Sequence, residues 1–209
     1  MKMKKLFSEI EIKNIEAAIV KAEQGSDGEI APVFAKTSGN YHDAKYILGI
    51  LISMIATAIA VNFSESILVI ISSMILSVIF GVKLAGKFPV LSLPFITESE
   101  MKDEVNRRAC EYFYSYNLGS TKRGSALLIY TSYFEHMTIV RTDLRSKDVI
   151  STQELQEVCN LVTSGMKKKK AAEGLISAIE KYGDLLRKYF PNNSSSNHDE
   201  LPNKIYLID

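Results

Sequence analysis

Residues 46–64 read YILGILISMIATAIAVNFS and residues 66–82 read SILVIISSMILSVIFGV, with a single acid, Glu65, between them. The first stretch (Tyr46–Ser64) runs about 19 residues without a charge, which at about 1.5 Å per residue approaches the ~30 Å hydrocarbon thickness of a bilayer. The second (Ser66–Val82), about 17 residues long, sits at the lower limit of spanning length. Both are apolar on every side, which argues against amphipathic helices lying on a surface. A chain of 209 residues is also too small to wrap two such helices in protein. The expectation is a transmembrane helical hairpin. Its turn, residues 62–66, forces the helices antiparallel, so both flanks lie on the same side. Lys36 and Lys45 precede the first span, Lys83 and Lys87 follow the second, and the turn has no Lys or Arg. By the positive-inside rule both termini and the soluble part are cytoplasmic, on the inner (cytoplasmic) membrane. Ser53, Ala56 and Ala60, with Ser72, Ser73 and Ser77, are small enough to let the helices approach closely or to receive a partner helix.

Outward from the hairpin, three sites carry Ser or Thr followed three residues later by Glu: Ser8 with Glu11, Thr97 with Glu100, and Ser151 with Glu154. Hydroxyl and carboxylate there satisfy backbone donors that a helix start leaves unpaired. The first box opens a helix to about Glu23 with Ile12, Ile15, Ile19 and Ala22 on one face. The second runs to about Tyr116, burying Val105, Ala109, Tyr112, Phe113 and Tyr116, and the third to about Thr163. A fourth helix is expected from Lys168 to Tyr189, stopped by Pro191. Strands are expected at Glu29–Ala35, Ser125–Thr131 and His136–Thr142, the last two as an antiparallel hairpin, and residues 204–208 could return as a short strand. Pro32 pushes the first strand toward an edge or a bulge. Neither flank closes a core alone, so the hairpin reads as an insertion within one domain: residues 1–45 and 85–191 build the domain, 46–84 the hairpin, and 192–209 a polar loop and tail.

Charge and composition narrow the function classes. The formal net charge is +1, and basic residues alternate with acids rather than forming stripes with aromatics, so no nucleic-acid partner is expected. The two cysteines, Cys110 and Cys159, form no CxxC and read as small core residues in a reducing compartment. Glu9 and Glu11 interrupt what would otherwise begin as a signal peptide after Met1-Lys2-Met3-Lys4-Lys5, so the N-terminus is expected to be retained. Serine-nucleophile, Walker A, GxGxxG and HExxH motifs do not occur.

Several segments, in order, resemble a known family. Ser26-Asp27-Gly28-Glu29-Ile30 is similar to a Thr-Ser-Gly-Glu-Ile turn into a first strand. Arg108-Ala109 with Phe113, then Thr121-Lys122-Arg123-Gly124 leading into Ala126–Tyr130, match a helix and central strand. Glu135-His136 stands in the place of a Glu-Arg or Glu-His pair, and Phe190-Pro191 with Asp199-Glu200-Leu201-Pro202-Asn203 is similar to a closing Phe-Pro and Asn-Glu-Leu-Pro-Asp. Together they resemble the TPM-domain family, named for a thylakoid lumen protein, a photosystem II protein and a nematode receptor modulator, in its bacterial branch with a central transmembrane hairpin. The resemblance implies an α/β fold, an αβα sandwich with a small mixed sheet, here interrupted by the two-helix hairpin. Some members are credited with acid phosphatase activity, some with calcium binding, others with maintenance of membrane complexes or receptor modulation. The chain departs from the pattern at Asp143-Leu144-Arg145-Ser146, where the family often carries a glycine.

A metal site needs carboxylates converging on one point, calcium taking about six to eight oxygens. The available acids are Asp27 and Glu29 at the start of the first strand, Asp143 after the strand hairpin, and Asp199 with Glu200 in the tail. Glu29, beside Gly28, is the family's marked feature. For each the plainer reading is a solvated loop acid or a cap. Glu135 and His136 invite an acid/base reading, but neighbouring strand residues face opposite ways, which leaves a turn acid and a surface imidazole. The run Lys167, Lys168, Lys169 and Lys170 could grip anionic lipid at about 1 kcal/mol per residue, or be a solvated helix start, where lysines oppose the macrodipole. The leading expectation is a membrane-anchored interaction or ligand-binding module, whose partners are the lipid bilayer and other membrane proteins. The alternative is a weak divalent-metal-dependent phosphatase carried by Glu29, Asp143 and the tail acids, with Ca2+ or another divalent cation as cofactor.

Overall fold

A computed structural model describes residues 3, 6–120, 125–191 and 201–209. It divides into two compact units, one made of residues 1–38 and 102–209, the other of residues 39–101.

The first unit is a mixed α/β sandwich. The Ser8 box forms as expected: Glu11 N–H donates to Ser8 Oγ at 3.2 Å and Ser8 N–H to Glu11 Oε2 at 2.7 Å, opening α1, Glu9–Glu23. A four-stranded sheet follows in the order β3-β2-β1-β4, with β1 Gly28–Ala35, β2 Ser125–Ser132, β3 Met137–Thr142 and β4 Tyr206–Ile208. β1 runs parallel to β2 and β4, while β2 and β3 form the expected antiparallel hairpin, Leu127 opposite Thr142. β1 is therefore interior, not an edge. Pro32 is tolerated because β4 pairs only with Val33–Ala35, leaving β1 laddered on one side at the proline.

Alternation along the strands makes two cores. Ile30, Phe34, Leu127 and Ile129 face α1, α6 (Thr152–Lys167) and α7 (Ala171–Tyr189), meeting Ile15, Ile19, Val158, Leu175, Ile179 and Tyr182. Ala31, Val33, Ala126, Leu128 and Tyr130 face α4 (Glu98–Ser115) through Val105, Ala109 and Phe113. Every residue of β1 and β2 is buried, as a sheet covered on both sides requires. A short α5, Leu144–Val149, escaped the sequence reading because six residues carry too little periodicity. α6 and α7 differ from expectation at their junction: α6 continues to Lys167 and α7 starts at Ala171. Gly165 and Gly174 explain this, since a Cβ on either would stand 2.6–2.8 Å from backbone atoms of the other helix or its connection. They are packing glycines, not terminators.

The α6 start also yields a pH prediction. The Ser151 N–H and hydroxyl, helped by Lys188 and Tyr189, hold the Glu154 carboxyl at about 2, below its ordinary 4.5. A depressed folded-state value stabilises above the unfolded value and is lost as pH falls through the folded one. The difference in melting temperature between the full-length protein and Glu154→Gln is expected to be constant above about pH 5, to narrow below it, and to be nearly gone by about pH 2. A difference independent of pH would show that the carboxylate is not held this way.

The second unit is the hairpin. α2, His42–Phe63, and α3, Ile67–Lys87, are longer than the uncharged stretches, 22 and 21 residues, or about 33 and 31 Å at ~1.5 Å per residue. They approach closely at Gly49 and Gly81, where a Cβ on Gly81 would lie 2.7 Å from Gly49 Cα. One turn on, Ser53 Oγ donates across the pair to the Met74 carbonyl at 3.1 Å. Of the small residues singled out, Ser53 is buried at the contact. Ser72, Ser73 and Ser77 bond to carbonyls of their own helix.

Candidate functional site

The candidate metal acids lie apart. Glu29 shares the α4 face of β1 with Ala31 and Val33; burial first, and the Glu29 charge after it, push the Tyr206 phenol up on that same face. Asp143 caps α5, its Oδ1 accepting from Ser146 N–H at 3.0 Å. Its charge acts on Tyr182 of the opposite core, a phenol pushed up to about 12, chiefly by burial. Asp27, half-buried, donates its N–H to Phe190 O at 3.2 Å beside the Ser26–Pro191 bridge. Asp199 and Glu200 lie outside the described residues. Among the described residues no three His, Cys, Asp or Glu side chains are grouped as a metal ion needs.

Glu135 and His136 part company for a different reason from the one expected. They occupy the β2–β3 turn, and His136 has a left-handed backbone, φ 52°, that starts β3 one residue later. His136 is exposed, with its ring 5.9 Å from Tyr133. Glu135 is not a solvated turn acid but 5% exposed. Its Oε1 accepts from Ser38 N–H at 2.8 Å and from Thr37 Oγ1 at 3.2 Å, and its Oε2 from Ser132 Oγ. A carboxylate so engaged is a clamp between the β2–β3 turn and the end of β1, not a free base.

Around it lies a polar cluster that sequence reasoning missed. Ser38 ends the first segment of the α/β unit, and each of its polar groups is held. Its N–H goes to Glu135, its Oγ lies 2.9 Å from Tyr130 Oη, and its carbonyl accepts from Arg108 Nε at 3.1 Å. Burial above all pushes the Tyr130 hydroxyl up to about 12, so it stays protonated, and Tyr112 stacks over its ring at 5.7 Å. The partners come from residues 70 to 97 positions away, which no local pattern encodes. Glu23 plays a like role at the other end of β1, its Oε1 accepting from Ile30 N–H at 2.7 Å.

The lysine run ends one helix and opens the next, with Lys170 the N-cap of α7. Lys167 ends α6, Lys168 caps it, Lys169 turns with φ 58°, and Lys170 Nζ binds Glu173 at 2.8 Å. Positive charge at the α6 C-terminus complements that helix's macrodipole, while at the α7 N-terminus the expected conflict stands.

The NMR structure of BA42 protein from the psychrophilic bacterium Bizionia argentinensis matches this architecture with a TM-score of 0.59, over 96% of this chain and 94% of that one. The two share a fold. At 24% identity the likeness extends no further than that. No family model and no curated protein matches the chain.

Proposed function

We propose that this chain is a TPM-type domain anchored by α2 and α3 across the inner membrane, with both flanks cytoplasmic, acting there as an interaction or ligand-binding module in the maintenance of membrane protein complexes. The observation that carries this reading is the exposure of the hairpin. Only 11% and 6% of the 18-residue apolar windows of α2 and α3 are buried. Side chains such as Met54, Ile55, Ile67, Leu68 and Leu76 are 64–76% exposed. A soluble protein that left such helices in water would forgo about 25 cal/mol per Å2 of apolar surface, whereas lipid accommodates them without cost. Gly49 and Ser53, four residues apart on the contact side of α2, are the small-residue spacing that brings helices together in lipid. The order of the matched segments and the fold shared with BA42 support the domain type.

Alkaline carbonate washing of membranes and cysteine labelling test the reading together. The full-length protein is expected to stay in the pellet. Ser64→Cys is expected to react with an impermeant maleimide on intact cells, while the native Cys110 and Cys159 remain unlabelled until the cells are permeabilised. Release into the supernatant, or labelling of the native cysteines first, overturns the anchor or its orientation respectively.

A further inference from the structure

The α/β unit holds a cleft of about 790 Å3 between the start of α1, the β2–β3 turn and the α6–α7 junction. That volume falls within the ~300–1,000 Å3 usual for small-molecule sites. Lys167, Lys169 and His136 reach it from two separate elements. Lys170, by contrast, is occupied by Glu173. The first residues of α7, Ala171 and Ala172, also line the cleft, and that helix has no side-chain cap, so its positive end adds to the lysines. The acid on the wall, Glu11, is engaged by the Ser8 N–H and hydroxyl. Leu6 and Met166 supply an apolar wall, and Tyr133 an amphipathic one.

A lining that carries both cations and aliphatic surface selects a ligand that combines the same two characters. We propose that the cleft binds a small amphiphilic anion, a phosphate or carboxylate carried on a short aliphatic body. The left-handed turn at Lys169 is what brings its side chain to the same cleft as that of Lys167, so the lysine run serves a defined site rather than a diffuse charged surface. This goes beyond the anchoring reading and does not depend on the hairpin crossing a bilayer.

The test is a titration of the full-length protein, in phosphatidylcholine nanodiscs, with hexyl phosphate, followed through the amide resonances of Met166, Lys167 and Ala172. Saturable shifts are expected at these amides, at least tenfold weaker binding in Lys167→Gln/Lys169→Gln, unchanged binding in Lys13→Gln/Lys147→Gln, and weaker binding of inorganic phosphate than of hexyl phosphate. Absence of saturable shifts, equal affinity in the two double variants, or equal affinity for inorganic phosphate overturns the proposal. Replacing part of the phosphatidylcholine by phosphatidic acid identifies the source. Competition with hexyl phosphate points to a lipid headgroup and its absence to a soluble amphiphile, and either result upholds the site. Co-elution with nanodiscs reports the anchor separately, so failure of one reading is not mistaken for failure of the other.

Discussion

Replacing Gly174 by alanine is expected to destabilise the α/β unit by about 2 kcal/mol, against the direction that helix propensity alone would give. Alanine in a helix interior is worth about 1 kcal/mol more than glycine. Here, however, the added Cβ would stand 2.7 Å from Gly165 Cα and 2.8 Å from Leu161 O. Both are backbone atoms, so no side chain can swing aside and α6 must move away from α7. Overpacking of this kind costs about 1–3 kcal/mol, occasionally more, and a backbone contact belongs at the upper end, about 3 kcal/mol, which outweighs the propensity gain. In a unit of this size that corresponds to a melting temperature lower by about 4–8 °C. Gly86→Ala is the control, since nothing lies within 4 Å of the Cβ it would add. A stabilised Gly174→Ala protein would mean that the α6–α7 contact is not as close as described.

Glu135→Ala is expected to cost about 3 kcal/mol, and Glu135→Gln about 1 kcal/mol. The alanine variant strands three donors at once, the Ser38 N–H and the hydroxyls of Thr37 and Ser132. Ser38 and Ser132 are fully buried, so water cannot replace the carboxylate there. Glutamine keeps one carbonyl oxygen for the Ser38 N–H, and the Ser132 hydroxyl can rotate to accept from its amide. The order of melting temperatures, wild type above Gln above Ala, together with faster hydrogen exchange at the Ser38 amide, is the measurement. Equal exchange in all three proteins would remove the clamp from the description.

What the sequence disclosed and what it withheld divide along the range of the interactions. The boxes at Ser8 and Ser151 form in full within four residues, Thr97 accepts from the Glu100 N–H over the same span, and helices open at or beside each. The strand-forming runs at residues 125–131 and 136–142 are equally local, and the strand hairpin followed from them. The apolar hairpin was legible from composition, but the close contact within it was not. Gly49 and Gly81 carry no periodic signal, whereas the more conspicuous serines turned back on their own helix. Pro32 was read as an edge marker; the partial pairing of β4 lets an interior strand carry it. The surroundings of Ser38 and the cleft at the α6–α7 junction depend on residues far apart in the chain. Glu135, His136, Arg108 and the lysine run stood out beforehand, though not as partners of Ser38 or as the lining of a cleft.

The position of β1 bears on how the protein is made. Both strands that flank it, β2 and β4, are encoded downstream of α2 and α3, the nearer beginning about ninety residues after β1 ends. At about 5–20 residues per second, translation leaves β1 waiting on the order of 5–20 s for its first partner. During that interval the nascent chain presents an unsatisfied strand, Gly28–Ala35, immediately ahead of two helices long and apolar enough to cross a membrane. Closure of the sheet thus waits until both apolar helices have been made, and mutations that slow the later half of synthesis would be felt first as loss of the amino-terminal strand to proteases or chaperones.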